Sequence, residues 1–315
     1  MKNKRVMILT EAGKNIGYGH LTRCISLYQA FEEKGIAPEL LIEGDKSIPS
    51  LIKGMNFQIF NWRRERSKLS KKLKQSSIII IDSYLANKSI YEGIARNEYN
   101  ELVAIDDYDR LDYPEGVVIN PSIYGEDLAY SARKEINYLV GKKYIMLRKE
   151  FWNIPAKVIN RELKNVLITF GGVKQKGLIH GIVRCLKNKF NFNLFITENK
   201  KIFGAKEMIE LMLKADIAIS GGGQTTYELA RVGLPVIGIC YADNQKLNLE
   251  SWQRKGFVEY IGWHNDEGIL LRLENAINKI LPYEDRLRRS WIGKNCVDGK
   301  GAGNVVNKLL KIVNK

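Results

Sequence analysis

A chain of 315 residues exceeds one typical hydrophobic core and predicts two domains of roughly 150 residues each. Hydrophobic residues make up 45% of the chain, and no apolar run reaches the roughly 18 residues of a membrane span, which disfavours a membrane protein. The four cysteines form no C-x-x-C pair, which disfavours a disulfide scaffold and a zinc site. The net charge of +15 is compatible with an anionic partner, but the lysines are dispersed along the whole chain, which fits a compositional bias at least as well. Charged residues follow the first apolar stretch at once, so we expect a cytoplasmic protein without a signal peptide.

Short apolar runs alternate with helical patterns in the first half of the chain. The first helix is predicted from about Gly19, and another ends at about Asn97. The predicted strands are "VMILT" (6–10), "PELLIE" (38–43), "FQIFNW" (57–62), "SIIIIDS" (77–83), "ELVAIDD" (101–107) and "GVVINPS" (116–122). Repeated βα units of this kind form a parallel sheet with helices on both faces.

The same rhythm begins again in the second half of the chain. Its predicted strands are "KNVLITFGG" (164–172), "FNLFIT" (192–197), "ADIAISGGG" (215–223) and "LPVIGICY" (234–241). The segment 138–163 has no clear strand alternation and is interpreted as a linker. The sequence therefore predicts two doubly wound α/β domains, 1–150 and 151–315, that bind ligands at the carboxyl ends of their strands.

A glycine-rich stretch, "SGGGQTTYELARVGLP" (220–235), follows one of these strands and begins a helix. Backbone N–H groups at such a helix N-terminus can approach a phosphate. The same stretch supplies hydroxyl donors in the first helical turn, and a carboxylate one turn later could bind a ribose. The residues of this predicted site are Gly221, Gly222, Gly223, Thr225, Thr226 and Glu228. A tight turn and a carboxylate that merely favours the helix dipole remain the alternatives.

A cluster of amides follows the next strand of the second half. Asn244, Gln245 and Asn248 combine donors and acceptors that suit sugar hydroxyls and acetamido groups. A polar loop without a ligand is the alternative.

Seven motifs occur in order along nearly the whole chain. They are "GYGHLTRC", "IDSY", "YLVGKKYIMLRKEF", "ITFGG", "SGGGQTTYELARVGLPVIG", the amide loop and "VDGKGA". This set resembles the UDP-2,4-diacetamido-2,4,6-trideoxy-β-L-altropyranose hydrolase family of pseudaminic acid biosynthesis. That family is related to spore-coat polysaccharide proteins and, more distantly, to the N-acetylglucosaminyltransferase that makes lipid II.

The resemblance implies two Rossmann-like domains that face each other across a cleft, which is the glycosyltransferase-B fold. It further implies that the C-terminal domain holds most of the UDP, with Gly171 of "ITFGG" at the site, and that the final helix packs back on the N-terminal domain. The implied reaction is a metal-independent hydrolysis without a cofactor, which serves cell-surface polysaccharide and flagellin glycosylation.

His20 stands where a dinucleotide fingerprint would have bare backbone. Gly17 and Gly19 are present, but Thr22 takes the third glycine position, so an NAD site with Glu43 on the ribose is a minor alternative. A histidine is largely neutral at cytoplasmic pH and can take a proton from water. In the resembled family the histidine of the G-x-G-H motif is the base. UDP leaves as a stable anion, so one base suffices where ordinary glycosidases need two carboxyl groups.

Other polar residues receive weaker assignments. Arg23 could bind phosphate or orient its neighbours, and Tyr84 of "IDSY" could bind the sugar or act as a buried anchor. The "DYD" sequence at 107–109 is interpreted as an acidic turn rather than a metal site. His180 is interpreted as a helix-packing residue, and His264 has no visible partner.

The expected partner is a UDP-linked diacetamido sugar, and no nucleic acid. The basic cluster 61–75 is interpreted as a solvated helix face, and a weak peripheral membrane contact through 63–74 is the alternative. Two rival functions remain open. One is a glycosyltransferase that uses the same UDP site with a sugar or lipid acceptor, and the other is a non-catalytic module that binds nucleic acid or membranes.

Overall fold

The computed structural model of the protein describes residues 4–13, 16–96, 101–130, 133–171, 176–197 and 203–314. The chain divides into two compact units. Unit 1 comprises Met1–Lys149 together with Lys300–Lys315, and unit 2 comprises Glu150–Gly299. Within the described ranges, no helix is both long and apolar enough to cross a membrane.

Unit 1 contains a parallel sheet of seven strands in the order β3-β2-β1-β4-β5-β6-β7. The strands are β1 (Val6–Ala12), β2 (Glu39–Gly44), β3 (Phe57–Ile59), β4 (Ile78–Asp82), β5 (Glu101–Ile105), β6 (Gly116–Asn120) and β7 (Ile136–Val140). The first helices are α1 (Gly19–Glu32), α2 (Arg66–Leu73) and α3 (Lys88–Ala95).

Unit 2 contains a parallel sheet of five strands in the order β12-β11-β10-β8-β9. The strands are β8 (Asn165–Thr169), β9 (Asn193–Thr197), β10 (Ile217–Ser220), β11 (Val236–Cys240) and β12 (Val258–Trp263). The helices are α4 (Lys176–Lys189), α5 (Ala205–Lys214), α6 (Gln224–Val232), α7 (Asp243–Lys255), α8 (Ile269–Ile280) and α9 (Tyr283–Cys296). The last helix of the chain, α10 (Gly301–Ile312), returns to unit 1 and packs against α1.

The central strands are apolar on both faces because helices cover both faces of each sheet. Every residue of β1 and of β4 is buried. In the register of the sheet, Ile8 of β1 lies between Leu40 of β2 and Ile80 of β4. Because the strands are parallel and neighbouring, the polar residues at the carboxyl ends of β1, β4 and β5 meet at one edge of the sheet.

Two strands were not predicted from the sequence. Strand β7 lies partly within the segment 138–163, which the sequence suggested to be a linker, and β12 follows α7. Both lie at the edge of their sheets, and both alternate buried with half-buried or exposed residues. Edge strands need only one hydrogen-bonded neighbour and tolerate polar side chains, so their apolar signal is weak.

Candidate functional site

The turn between β1 and α1 carries His20 into the first helical turn. The backbone N–H of Gly17 donates to the Gly13 carbonyl at 2.7 Å, and Gly13 donates back to Gly17 at 3.1 Å. Gly17 has a φ of 91°, a region that favours glycine. Residues 14 and 15 of this motif lie outside the described residues. The tight turn places the imidazole beside the end of β4.

His20 is paired with a buried carboxylate. Its Nδ1 lies 2.7 Å from Oδ1 of Asp82, which is fully buried at the end of β4. Burial raises the pKa of Asp82, but the Arg23 guanidinium and His20 outweigh it and hold that pKa well below its usual range. Because an ionised carboxylate only accepts hydrogen bonds, Nδ1 is the donor and Nε2 is the basic nitrogen.

The same carboxylate makes the imidazole more basic. Burial lowers the pKa of His20, whereas the charge and hydrogen bond of Asp82 raise it, with a smaller contribution of the same sign from Glu11. The net direction is upward from the ordinary value. The pair therefore has the geometry of a histidine base that a carboxylate orients and stabilises in its charged form.

Arg23 orients the two aspartates of this site. Its Nε and Nη2 donate to Asp82 at 2.7 and 2.6 Å, and its Nη1 donates to both oxygens of Asp107 at 2.7 and 2.9 Å. The side chain is 9% exposed. Of the two roles weighed from the sequence, these contacts favour orientation of neighbours over phosphate binding.

Tyr84 forms hydrogen bonds through both its hydroxyl and its backbone N–H. Its hydroxyl donates to Oδ2 of Asp107 at 2.7 Å, and its backbone N–H donates to Oε1 of Glu11 at 2.9 Å. The ring packs edge-on against His20, with 4.4 Å between ring centroids. A contact from Tyr84 to the sugar remains a prediction, and the observed contacts hold this half-buried residue beside the imidazole.

Three acidic residues of this site were missed in the sequence as site residues. Glu11, Asp82 and Asp107 each lie at or just beyond the carboxyl end of a buried strand. An acidic residue directly after an apolar run is the signal that could have found them. The sequence alone does not state that β1, β4 and β5 are neighbours.

The acidic turn after β5 is built from internal contacts. Asp106 accepts from the backbone N–H groups of Tyr108 and Arg110 at 3.0 and 2.6 Å, and from the hydroxyl of Tyr113 at 2.7 Å. Of the "DYD" residues, Asp107 instead binds Arg23 and Tyr84, and the acidic-turn interpretation of "DYD" stays a prediction. No group of three or more metal-ligating side chains occurs in the described part of the chain.

The glycine-rich turn between β10 and α6 forms a second candidate site. A Cβ at Gly221 would overlap the Tyr241 ring, and a Cβ at Gly222 would lie 2.7 Å from both the Gln245 carbonyl and Leu249. At Gly223 the nearest atom would be Nε2 of Gln245, at 3.9 Å. Close packing against Tyr241 and α7 therefore requires glycine at the first two positions. Within this turn, only Gly223 has no close neighbour that would keep a ligand from its backbone.

The amide cluster forms hydrogen bonds to the backbone of this turn. Gln245 Oε1 accepts from the N–H of Gly222 at 3.2 Å, and Asn248 Nδ2 donates to the Gly222 carbonyl at 2.8 Å. The hydroxyl of Tyr227 donates to Oδ1 of Asn248 at 2.9 Å. Both polar ends of Asn248 are thus bonded within the unit, and a contact of the amide cluster with a sugar remains a prediction. Asn244 is exposed in the first turn of α7.

The N-terminus of α6 collects the remaining residues of the predicted phosphate site. Thr226 is fully buried and donates to the Gly221 carbonyl at 2.8 Å, so its hydroxyl stabilises the turn. Gly171, with a φ of 64°, lies after β8, and a Cβ there would be 4.0 Å from Oγ1 of the half-buried Thr225. Gly172 of the same motif lies outside the described residues. Glu228 follows one turn later and is 4% exposed. Its contact with a ribose remains a prediction.

Three minor assignments can be compared with the structure. His180 is exposed on α4, so its interpretation as a packing residue was wrong. The backbone N–H of His264 donates to Cys240 at 2.8 Å. Glu43 binds Arg63 through two hydrogen bonds of 2.8 and 2.6 Å, which occupies the carboxylate that the NAD alternative needs for a ribose.

The basic cluster contains the amphipathic helix α2. Leu69 and Leu73 are buried, while Lys68 pairs with Glu65 on the outer side at 3.2 Å. This arrangement agrees with a solvated helix face.

No known family model matches the chain. A Helicobacter pylori protein named "Pseudaminic acid cytidylyltransferase and UDP-2,4-diacetamido-2,4,6-trideoxy-beta-L-altropyranose hydrolase" is 27% identical over 306 residues, which cover 91% of this chain and 54% of that protein. This relative confirms the family resemblance. "Uncharacterized protein MJ1062" of Methanocaldococcus jannaschii is 22% identical over 285 residues, covering 80% of this chain and 58% of that protein. The chain spans about half the length of these curated relatives.

Solved structures establish the fold. MurG of Acinetobacter baumannii matches with a TM-score of 0.62 and 14% identity, over 98% of this chain and 99% of that chain. The spinosyn forosaminyltransferase SpnP matches with a TM-score of 0.66 and 13% identity, over 100% of both chains. The fold is that of the glycosyltransferase-B proteins.

Proposed function

We propose that the protein hydrolyses a UDP-linked 2,4-diacetamido-2,4,6-trideoxyhexose to UDP and the free sugar, in the biosynthesis of a pseudaminic-type acid. The observation that carries the proposal is the contact of His20 with Asp82, 2.7 Å long, in the G-x-G-H turn. The name of the Helicobacter pylori relative includes this hydrolase activity and supports the choice of substrate.

His20 acts as the general base in this proposal. Nε2 takes a proton from a water molecule, the water oxygen forms a bond to the anomeric carbon, and the bond from that carbon to the UDP oxygen breaks. The electron pair leaves with the diphosphate, and Asp82 stabilises the imidazolium that forms. A single displacement of this kind inverts the anomeric configuration.

The leaving group requires positive potential rather than a proton. We assign the diphosphate to the N-terminus of α6, where Gly223 leaves the backbone open and Gly171 lies beside Thr225. The partial positive charge of a helix N-terminus favours such an anion. Glu228 would hold the ribose, and turnover would survive a chelator because no cation is assigned to the diphosphate.

The test is a screen of UDP-linked amino sugars for UDP release in oxygen-18 water. Attack at carbon puts the label in the sugar, whereas label in UDP would contradict the mechanism. In the same assay, His20→Asn keeps much of the shape but loses the basic nitrogen. We expect kcat to fall by roughly 10²–10⁴ while UDP binding remains near the wild-type value. Wild-type turnover by His20→Asn would remove His20 from the base role.

A glycosyltransferase is the second candidate, because the solved structures with this fold include the forosaminyltransferase SpnP and the calicheamicin glycosyltransferase CalG4. UDP release that requires a sugar or lipid acceptor would favour it, and release without an acceptor favours the hydrolase. A non-catalytic basic module would instead bind polyanions with a steep salt dependence and ignore UDP.

A further inference from the structure

Glu11 lies at the end of β1 and has no part in the proposed mechanism. Its side chain is almost completely buried, with 1% of the residue exposed. Oε1 accepts hydrogen bonds from the backbone N–H groups of Tyr84 at 2.9 Å and Leu85 at 3.4 Å. Oε2 is buried, and a hydrogen bond from the Ser83 side chain lowers the pKa of this carboxyl. A buried carboxylate with no cation paired to it among the described residues is costly, so its retention calls for a role beyond packing.

The surroundings of Glu11 contain more negative than positive groups. Asp82 and Asp107 share the guanidinium of Arg23, whereas no cation makes a hydrogen bond or ion pair with Glu11 among the described residues. Protonation of His20 would bring a second positive charge into this group. The other titratable groups that face Glu11 or His20 are Cys24 on α1, Tyr84 after β4 and Tyr91 on α3.

We propose that Glu11 is a positioning residue for His20, because its carboxylate fixes the turn that packs Tyr84 against the imidazole and its negative charge favours the protonated ring. As a statement about catalysis this rests on the proposed function. As a statement about the protonation of His20 it does not.

Two observations give the proposal its physical basis. The ring of Tyr84 lies edge-on to His20, with 4.4 Å between ring centroids. A shift of the turn at Tyr84 would therefore move the ring that packs against the imidazole. Burial raises the pKa of Glu11, while Ser83 and His20 lower it, and Glu11 in turn raises the pKa of His20. A stronger base and a better stabilised imidazolium are the expected consequences for proton abstraction from water.

The decisive experiment measures the pKa of His20 by NMR in the free protein. The chain has only three histidines, so the His20 signal can be assigned by its loss in His20→Asn. Glu11→Gln keeps an acceptor for the Tyr84 N–H but removes the charge. We expect the pKa of His20 to be lower in this variant than in the wild type. An unchanged pKa in folded Glu11→Gln would overturn the proposal.

Glu43→Gln is the matched control. Glu43 pairs in register with Glu11 on the neighbouring strand, but its carboxylate binds Arg63. We expect the pKa of His20 to be the same in Glu43→Gln and wild type. An equal fall in both variants would mean that any loss of an acidic residue in this sheet moves His20, and would also overturn the assignment to Glu11.

A conservative variant separates the effect of the negative charge of Glu11 from the effect of its side-chain length. Glu11→Asp keeps the charge on a shorter side chain, so we expect the pKa of His20 to remain above that in Glu11→Gln. If Glu11→Gln does not fold, Glu11→Asp still decides: a His20 pKa equal to that of the wild type would mean that the reach of the Glu11 carboxylate does not matter, and would contradict the proposal.

Kinetics then test the catalytic part. In Glu11→Gln the acidic limb of the pH profile should move to lower pH, kcat should fall, and the affinity for UDP should stay unchanged. If the wild type releases no UDP from any UDP-sugar, the proposed function fails, while the NMR comparison still decides the role of Glu11.

Discussion

Asp82 connects the two functional side chains of α1, because its carboxylate binds both His20 and Arg23. Asp82→Asn removes the charge that stabilises the imidazolium and can reverse the direction of the Nδ1 hydrogen bond. We expect kcat to fall by up to roughly 10⁴, the loss seen when the carboxylate partner of a catalytic histidine is replaced by an amide. Steady-state kinetics at saturating UDP-sugar, with UDP affinity measured by calorimetry as the control, tests this.

The same substitution also affects folding. Removing one partner of a buried ion pair costs about 3–5 kcal/mol, although Arg23 keeps its two bonds to Asp107 in the variant. A thermal melt must therefore accompany the kinetics. Equal kcat in folded Asp82→Asn and wild type would contradict the role of the pair.

The pH dependence of the wild type follows from the direction of the His20 shift. The base acts only when neutral, and its pKa is raised above the ordinary value near 6.5, so kcat/KM should rise with pH and level off only above that raised pKa. A kcat/KM profile from pH 5 to 9 tests this. An acidic limb centred below 6.5 would mean that Asp82 does not govern the titrating base.

His20 could be found from the sequence, but its partners could not. The G-x-G-H turn is local, whereas Asp82 is 62 positions away and Asp107 is 84 positions from Arg23. The strand order β1-β4-β5 brings these groups together, and nothing in the apolar runs specifies which strands are neighbours. The roles of Arg23 and Tyr84 remained open for the same reason.

At the level of elements, the glycine-rich turn before α6 contains one glycine that close packing requires, Gly222, and one that we assign to ligand binding, Gly223. Gly222→Ala would place a Cβ 2.7 Å from the Gln245 carbonyl and from Leu249, so we expect a lower melting temperature. Gly223→Ala meets only Nε2 of Gln245 at 3.9 Å, so we expect a wild-type melting temperature and weaker UDP binding. Thermal melts and UDP calorimetry on both variants check the two expectations.

The sequence predicts Gly222 itself as a residue of the phosphate site, and this pair of variants tests whether Gly222 or Gly223 faces the diphosphate. Undiminished UDP affinity in Gly223→Ala would mean that the whole turn serves packing alone.

The strands themselves were easier to predict than the turns. Ten apolar runs coincide with strands β1 to β6 and β8 to β11. Inner strands such as β1 and β4 are buried on both faces and leave a continuous apolar signal, and the edge strands β3 and β9 are less buried but still apolar enough to be found. The half-polar edge strands β7 and β12 leave none.

At the level of the whole molecule, the final helix completes unit 1. Gly301 at the start of α10 lies so close to the Ile145 backbone that an added Cβ would overlap its carbonyl, whereas a Cβ at Gly303 would meet nothing within 4 Å. We expect Gly301→Ala to lower the free energy of unfolding. Gly303→Ala should raise it by about 0.5–1 kcal/mol, since alanine favours a helix interior over glycine.

Urea denaturation of the two alanine variants measures both effects. Equal stabilities would show that α10 does not hold its close contact with the segment around Ile145 in solution. Because the two glycines lie two positions apart on one helix, a general effect of alanine on helix formation cannot produce opposite signs.

The path of the chain also sets an order for biosynthesis. Residues 150–299 form one uninterrupted unit, and a ribosome delivers all of it before the first residue of α10 emerges. The surface of α1 that α10 covers must therefore stay open to solvent while the entire second unit is translated and folds. A premature stop within the last helix would leave unit 2 whole and unit 1 permanently in that unfinished state, so the damage would fall on the unit that was translated first.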